Sequence, residues 1–322
     1  MRVSVVIPTF NCGRFVASAV ESALAQTRAP AEVIVVDDGS TDDTRTRLAK
    51  FRSPVRYIWK ENGGVSSARN RGVAEATGEL VGFLDADDVW HPRKLEVQVA
   101  TLVDRTDLGL IGSGTYPWPA ENHPDRPQAG ERVEGVEVPV DDLTIRNCIV
   151  TSTVLVRREV LLAAGEFDTA LQGPEDYDLW LRVARCSRVA NLDVPLTGYR
   201  EATPGSLSKN AHRMEDGMRR ILDKLDEAGV FRGRALFRRK VRAHYRYLWS
   251  FMHREAGHRL IAAKHAATSL LLYPFPYSRA YVRYPLGRVR LMINSILRGS
   301  RVAISHNGVP DEVKDLEPTK CV

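Results

Sequence analysis

The sequence predicts an α/β protein, with a mostly parallel sheet covered by helices on both faces and an α-helical appendage at the C-terminal side. Three observations carry this. Over the first 115 residues, short β-branched runs alternate with stretches of helical spacing, which is the pattern of a parallel sheet buried on both sides. Three of those runs end in polar clusters, Pro8-Thr9-Phe10-Asn11, Asp37-Asp38-Gly39-Ser40 and Asp85-Ala86-Asp87-Asp88, and open parallel sheets bind ligands outside the carboxyl ends of their strands. From residue 212 onward the strand signals stop and Lys and Arg accumulate on helical spacing.

The elements follow in order. Val3–Ile7 reads as a buried strand ended by Pro8, and Phe15/Val16, Ala19/Val20 and Ala23/Leu24 then repeat at helical spacing. Glu32–Val36 is a second strand. Ser40 with Asp43 three residues on resembles a capping box, which places a helix start there. Val55–Trp59 is a third strand, Ser66–Ala76 a helix closed by Gly78, and Leu80–Leu84 a fourth strand. Pro92 suits the first turn of the next helix, and Leu108–Ser113 reads as a fifth strand. Residues 115–147 are rich in Pro, Gly and acids and read as loops. Strand character returns at Ser152–Arg157. Asp176–Cys186 is helical, and 200–211 is a loop. Phe237, Val241, Tyr245, Leu248 and Met252, then Leu260/Ile261, Lys264, Ala267 and Leu271, read as one helical hairpin stopped by Pro274 and Pro276.

Composition bounds the function. A chain of 322 residues that is 43% hydrophobic and 27% charged can bury a core and corresponds to about two domains. Its four Cys form no C-x-x-C pair, which excludes zinc ribbons and thioredoxin-type chemistry and suits a reducing compartment. The net charge of +6 hides a split: residues 1–210 carry −6, residues 211–301 carry +14 and residues 302–322 carry −2. An acidic body with a basic block is not a whole-chain nucleic-acid binder. The apolar run after Met1 is too short for a secretory h-region, which predicts a cytoplasmic protein. No run reaches the ~20 apolar residues of a membrane span; the nearest, Leu260 to Phe275, contains Lys264 and His265.

Five carboxylates at neighbouring strand ends repel one another, and a cation or hydrogen-bonding ligand among them relieves this. Asp85 and Asp87, on alternate positions after a strand, suit a hard divalent ion that also takes phosphate oxygens. Such an ion neutralises a diphosphate and stabilises it as a leaving group. The alternative is solvated turn acids, since D-x-D alone is common. There is no G-x-x-x-x-G-K-[ST] and no G-x-G-x-x-G after the first strand, which argues against a P-loop enzyme and a dinucleotide-dependent dehydrogenase. Gly63-Gly64 precedes a helix whose N-terminus suits an anion, or is a plain turn.

Taken together, Val5-Val6-Ile7-Pro8-Thr9-Phe10-Asn11, Val36-Asp37-Asp38-Gly39-Ser40-Thr41-Asp42, Glu61-Asn62-Gly63-Gly64-Val65-Ser66, Ala68-Arg69-Asn70-Arg71-Gly72 and Phe83-Leu84-Asp85-Ala86-Asp87-Asp88 resemble the successive motifs of the family 2 glycosyltransferases. Gly165-Glu166-Phe167-Asp168 and Pro174-Glu175-Asp176-Tyr177-Asp178-Leu179-Trp180-Leu181-Arg182 match that family's later motifs, in order, so that the resemblance covers about residues 3–208. The resemblance implies a GT-A type fold with a Rossmann-like sheet and an inverting transferase. It implies a nucleotide-diphosphate sugar as donor, and Mg²⁺ or Mn²⁺. By this analogy Thr9 and Asp38 contact the base, and Pro8, Phe10 and Asn11 shape its pocket. Asp37 and the Asn62–Asn70 segment, with Gly64 and Arg69, line the nucleoside side. Asp85 and Ala86 face the ribose or metal, Asp87 ligates the metal, and Asp176 is the general base. Glu175, Trp180, Arg200 and Ser206 are expected near diphosphate or acceptor.

Inversion needs one base on the acceptor side, opposite the departing diphosphate. At a helix N-terminus the dipole would lower the pKa of Asp176, whereas burial and Glu175 would raise it. The plainer reading is that Glu175 and Asp176 only cap the helix. One departure from the family stands out: the loop Tyr199-Arg200-Glu201-Ala202-Thr203-Pro204-Gly205-Ser206-Leu207-Ser208 lacks the His that members often carry there, so Arg200, Ser206 or water would take its place. Trp118 and Tyr116 read as loop anchors, with stacking on an acceptor sugar as the alternative. Cys148 and Cys186 read as buried small residues. The histidines at 244, 253, 258 and 265 lack metal-binding company in the sequence, which predicts surface or packing roles.

The basic block interleaves Arg232, Arg234, Arg238, Arg239, Lys240, Arg242 and Arg246, then Arg279 to Arg301, with apolar positions. A basic amphipathic surface of this kind attracts anionic lipid, where lipid-linked acceptors also reside; a solvated basic face or a homo-oligomer contact are the alternatives. No recognition motif for nucleic acid accompanies the charge. The layout is then 1–110 for donor binding, 111–210 for acceptor and base, 211–301 as a basic helical region with peripheral membrane contact through 232–301, and 302–322 as a tail. The expected activity is sugar transfer to a saccharide or lipid-linked acceptor in cell-surface polysaccharide or glycolipid assembly, at the inner face of the cell membrane. The rivals are a sugar nucleotidyltransferase, which lacks its glycine- and basic-rich phosphate loop here, and a non-catalytic nucleotide-sugar-binding protein.

Overall fold

The computed structural model describes residues 1–119, 133–171, 173–200 and 210–275, with Val289 and a small antiparallel pair, β10 (Ile304–Ser305) and β11 (Val309–Pro310). It divides into two compact units: Met1–Val140, Ile149–Ala170 and Glu175–Thr203 form the first, and Asp141–Cys148, Leu171–Pro174 and Pro204–Val322 the second.

The first unit is built on one nine-stranded sheet. Its order is β3 (Val55–Trp59), β2 (Glu32–Asp37), β1 (Val3–Thr9), β4 (Leu80–Phe83), β8 (Leu155–Arg157), β6 (Leu108–Trp118), β9 (Arg188–Arg200) and β5 (Val89–Trp90), with β7 (Gly135–Glu137) paired to β9. β1, β2, β3 and β4 are mutually parallel, as are β6 and β9, while β8 runs antiparallel between β4 and β6. The chain leaves β1 outward to β2 and β3 and returns on the other side as β4, so the β1–β4 gap is a topological switch point, where ligands bind in such sheets. β1, β2 and β4 are buried at every position. That is why they read as continuous apolar runs rather than alternating ones. α1 (Gly13–Leu24) buries Val16, Ala19, Val20 and Ala23, the stripe its spacing predicts. α3 (Val65–Glu75) lies so close to β1 that a methyl at Gly72 would overlap Val6.

Several boundaries differ from the sequence reading. β1 runs through Pro8 to Thr9, because the register pairs Thr9 with Asp37. The helix expected at Ser40 is α2 (Thr44–Leu48), without the predicted capping box; instead Asp42 accepts hydrogen bonds from Thr44 N (3.0 Å) and from Thr44 Oγ1 (2.5 Å). Tyr116 and Trp118 stand in β6 rather than in a loop, and Tyr116 is buried. Ser152 belongs to a 3₁₀ turn, Thr151–Thr153, ahead of the short β8. β9 interrupts its pattern with Asn191, Asp193 and Pro195, and its pairing with β6 shifts register at Ser113/Gly114, so period-two reasoning missed it. Cys186 is exposed and Cys148 half-buried, not the core residues expected.

The second unit contains α5 (Val140–Ile145, nearly all of it) and three helices where one hairpin was expected: α8 (Ala211–Glu227), α9 (Ala235–Glu255) and α10 (Arg259–Leu272). Asn210 caps α8 by accepting from Arg213 N at 3.0 Å. Met218, Ile221, Leu222 and Leu225 are buried, as are Val241, Tyr245 and Trp249, and the Trp249 indole N–H reaches Met218 Sδ at 3.3 Å. α10 turns a different face inward than its leucines suggest. Ala262, His265, Ala266 and Ser269 are buried, while Leu260 and Leu271 are 84% and 80% exposed. Small residues let α9 and α10 approach closely, and Ser250 Oγ donates to Ala262 O at 2.8 Å. The residues from 276 to 301, apart from Val289, and the tail beyond, apart from β10 and β11, lie outside the described residues.

Candidate active site

The ends of β1 and β2 are sewn together by polar side chains. Asn11 takes a left-handed conformation (φ 50°), which Asn tolerates better than most residues. Its N–H donates to Ser40 Oγ at 2.9 Å, and its Oδ1 accepts from Thr41 N at 2.8 Å. Thr9 is buried with no hydrogen-bond partner for Oγ1, so a polar atom stands inside the strand end without its usual compensation. Phe10 is 48% exposed at the same end, an aromatic face presented outward. Pro8, buried within β1, precedes them.

Asp37 and Asp38 are both buried. Asp37 accepts from Ser40 N (2.8 Å) and from the Tyr57 hydroxyl (2.7 Å). Asp38 accepts from Lys60 Nζ (2.6 Å), Gly63 N (3.0 Å) and Gly64 N (2.7 Å). The amides ahead of α3 therefore bind an anion, as the sequence suggested, and that anion is the protein's own Asp38. Asn62 and Gly64 are exposed in the segment it holds. Asn70 clamps the backbone of Phe167, donating to its carbonyl at 2.9 Å and accepting from its N–H at 2.8 Å.

Beyond β4 lie the acids, and Arg69 organises them from α3. Its buried guanidinium donates to Asp85 Oδ1 at 2.8 Å and to Glu175 Oε1 at 2.7 Å, and rests on the Phe167 ring at 5.3 Å. Ala86 is buried between the two site acids. Asp88 points inward, accepting from Ser152 Oγ at 2.6 Å and Arg200 N at 2.9 Å. Burial first, then the charges of Asp87 and Asp85, hold its proton far more tightly than usual. Arg200 leaves β9 with its guanidinium over Phe15 (4.4 Å) and its Nε donating to Asp87 O (3.1 Å).

Asp176 stands in the first turn of α7 (Glu175–Cys186). Its Oδ2 accepts from Thr151 Oγ1 at 2.7 Å. Burial, and then the Glu175 carboxylate, push its pKa up to about 6, against the opposing pull of Thr151 and Arg69. Burial and the Glu175 charge thus outweigh the groups that would lower it. A carboxylate in this state is mostly ionised at neutral pH and is a better proton acceptor than an ordinary Asp.

The same acids mark a field that suits a cation. Burial, then Asp87, with Asp42 and Asp85 adding, pushes the Cys12 thiol up to about 11. Burial, then Asp88, Asp85, Asp87 and Asp176, raises the Tyr199 phenol as well. Neighbours therefore sense net negative charge even with Arg69 in place. Oxygen donors without nitrogen or sulfur fit Mg²⁺ or Mn²⁺.

Of the sequence-derived site residues, β1, β2, β4 and α3 supply Pro8 to Asn11, Asp37, Asp38, Arg69, Asn70 and Asp85 to Asp87, and α7 supplies Glu175 and Asp176. Trp180, expected among diphosphate or acceptor contacts, is fully buried beside Phe83 and Phe167, with ring centroids 6.0 Å from each; it packs the wall behind the site. Ser206 lies outside the described residues. Sequence reasoning missed Thr151 and Ser152, which carry no motif and arrive through a 3₁₀ turn. It also missed the inward-facing role of Asp88, although that residue stands in the quoted acidic motif.

The chain matches the family model "Glycosyl transferase family 2" over residues 4–161, just under half its length. It is 33% identical over 195 residues to an uncharacterised glycosyltransferase of Rickettsia prowazekii, covering 58% of this chain and 60% of that one. It is 28% identical over 193 residues to the Escherichia coli UDP-Glc:alpha-D-GlcNAc-diphosphoundecaprenol beta-1,3-glucosyltransferase WfgD, covering 59% and 73%. The chain thus spans about 60% of the length of the first curated relatives it matches. Among solved structures, Staphylococcus aureus TarS 1–349 in complex with UDP-GlcNAc overlays with a TM-score of 0.59 at 18% identity, covering 95% of both chains. The mannosyltransferase PcManGT of Pyrobaculum calidifontis, in complex with GDP-Man and Mn²⁺, overlays with a TM-score of 0.57 at 19% identity, covering 92% and 87%. These likenesses show the GT-A fold. Motifs in order, a parallel sheet with acids at its switch point and the family match agree: over residues 4–161 the chain matches glycosyl transferase family 2.

Proposed function

We propose that this protein is an inverting, metal-dependent glycosyltransferase that moves a sugar from a nucleotide-diphosphate sugar to an acceptor hydroxyl in cell-surface polysaccharide or glycolipid assembly. The observation that carries the reading is Asp176: a carboxylate at the start of α7 with its pKa pushed up to about 6, linked through Arg69, Glu175 and Asp85 to the acids at the end of β4. Phe10 and the unpartnered Thr9 hydroxyl suit a nucleotide base, and Asp37, Asp38 and the Asn62–Asn70 segment frame the nucleoside. Asp85 and Asp87 would hold Mg²⁺ or Mn²⁺, which when bound supplies neutralisation of the donor diphosphate. Asp176 takes the proton of the acceptor hydroxyl, and Thr151 fixes its carboxylate in orientation. The relatives support the substrate class: TarS was solved with UDP-GlcNAc, PcManGT with GDP-Man and Mn²⁺, and WfgD is named for a diphosphoundecaprenol-linked acceptor.

Among the described residues no helix is long and apolar enough to cross a membrane. We read the basic helical unit as a peripheral contact with anionic lipid, which brings the site to lipid-linked acceptors. The exposed Leu236, Leu260, Leu271 and Phe275 among the arginines favour this over a purely solvated face.

The test of the catalytic reading separates binding from chemistry. Nucleotide sugars are first screened for Mn²⁺-dependent thermal stabilisation. Asp87→Ala should remove that stabilisation. Asp176→Asn should keep it while transfer falls about 10²- to 10⁴-fold, the usual worth of a general base. Transfer at wild-type rate by the Asp176→Asn protein refutes the base assignment.

A further inference from the structure

We propose that the helical unit carries a second metal site, for a zinc-type transition-metal ion, formed by His212 of α8, His253 of α9 and His258 at the start of α10, with Glu215 orienting His253. His253 and His258 lack company in the sequence because His212 lies on a separate helix, α8. The fold supplies it: one ligand nitrogen from each of the three falls within 4.8 Å of the others.

The hydrogen bonding sets up the site from behind. His253 is fully buried and donates from Nε2 to Glu215 Oε2 at 2.6 Å. With the proton on Nε2, Nδ1 carries a lone pair, and it faces His258 Nδ1 at 3.1 Å. Tetrahedral zinc with Zn–N of about 2.0–2.1 Å places neighbouring ligand nitrogens about 3.3 Å apart, so the pair already spans one edge of such a site. His212 closes the group, its ring centroid 4.7 Å from that of His253 and 4.8 Å from that of His258. Gly257, in the left-handed region at φ +81°, turns the chain sharply, and His258 N donates to His253 O at 2.7 Å, which holds the two imidazoles side by side.

Glu215 and His265 serve as the outer support. Glu215 Oε1 accepts from Arg219 Nε at 2.9 Å, and its Oε2 lies 3.2 Å from His265 Nε2. His265 in turn accepts at Nδ1 from Arg246 Nη1 at 3.0 Å. A carboxylate behind a ligating imidazole is the common arrangement at zinc sites, since it fixes the tautomer and raises ligand basicity. Nitrogen ligands select zinc, cobalt, nickel or copper over Mg²⁺ and Mn²⁺, so this site differs in chemistry from the acids at the end of β4. His212 is exposed, which leaves a fourth position to water. The ion would pin α8 to the α9–α10 turn, and the inference is independent of the proposed sugar transfer.

The experiment uses the untagged full chain, stripped with chelator and titrated with Zn²⁺ or Co²⁺. One equivalent should bind, Co²⁺ should show the intense visible absorption of a tetrahedral nitrogen site, and Zn²⁺ should raise Tm. Truncating the exposed His212 and the half-buried His258 by His212→Ala and His258→Ala should each lower Zn²⁺ affinity at least tenfold, and Glu215→Gln by about 10- to 100-fold. Asp87→Ala should leave it unchanged, which separates this site from the donor site. No Zn²⁺ bound at micromolar concentration, or equal affinity in the wild type and both histidine variants, overturns the proposal and leaves a hydrogen-bonded histidine cluster.

Discussion

Arg69 stands among the charges of Asp85, Glu175 and Asp176, and its replacement is the most informative single change in the first unit. With Arg69 and Glu175 both 5% exposed, their ion pair is buried. Removing one partner of a buried pair costs about 3–5 kcal/mol. Arg69→Met should therefore lower the unfolding free energy from urea titration at pH 7.5 by an amount in that range, and unchanged stability would show that the acids do not need it. On the proposed reading, in which Asp176 is the proton acceptor, Thr151 tests that role more gently. Its hydroxyl stabilises the Asp176 anion, so Thr151→Val raises a pKa that already lies at about 6. The base must be deprotonated to work, so the acid limb of kcat/KM should move to higher pH. Transfer at pH 6 should fall more than transfer at pH 8. A limb that stays in place assigns it to another group.

At the scale of elements, packing against a neighbour decided what the sequence made legible. β1, β2 and β4 were legible because strands buried on both faces show unbroken apolar runs, and α1 because its stripe repeats every three to four residues. β9 was not, because Asn191, Asp193 and Pro195 break its alternation and only its pairing with β6 makes it a strand. The packed face of α10 was misread for a related reason: it is made of Ala262, Ala266 and Ser269, which hydrophobicity ranks below Leu260 and Leu271. The polar strand ends pointed to the site, whereas Thr151 and the outer partners of His253 came from distant segments that no spacing rule connects. Gly72 shows how tightly α3 is held. An alanine there would gain about 1 kcal/mol of helix propensity, but its methyl would overlap Val6 on β1, and overpacking costs about 1–3 kcal/mol. Gly72→Ala should therefore lower Tm, and a rise would mean that α3 can lift off β1 without penalty.

Across the whole molecule, charge is divided rather than averaged: −6 over residues 1–210 and +14 over residues 211–301. On the proposed reading the acidic part has its use at the strand ends. The basic part is only partly neutralised among the described residues, where Arg234 pairs with Asp141, and Arg238 and Arg242 share Asp226. Arg232 and Arg239 are exposed, and Leu260, Leu271 and Phe275 are 84%, 80% and 63% exposed in the same unit. Near an anionic surface each Lys or Arg contributes about 1 kcal/mol, and this attraction fades as the Debye length shrinks from about 10 Å at 0.1 M salt to about 3 Å at 1 M. The chain should therefore float with phosphatidylglycerol vesicles at low salt, not with phosphatidylcholine vesicles, and should be largely released at 1 M salt. Leu260→Asp with Leu271→Asp should weaken flotation at low salt without changing donor-induced thermal stabilisation, because those leucines lie in the helical unit and not among the proposed donor residues. Binding retained at 1 M salt would make apolar insertion, rather than charge, the main attachment. No flotation at low salt would leave the basic unit without a lipid role.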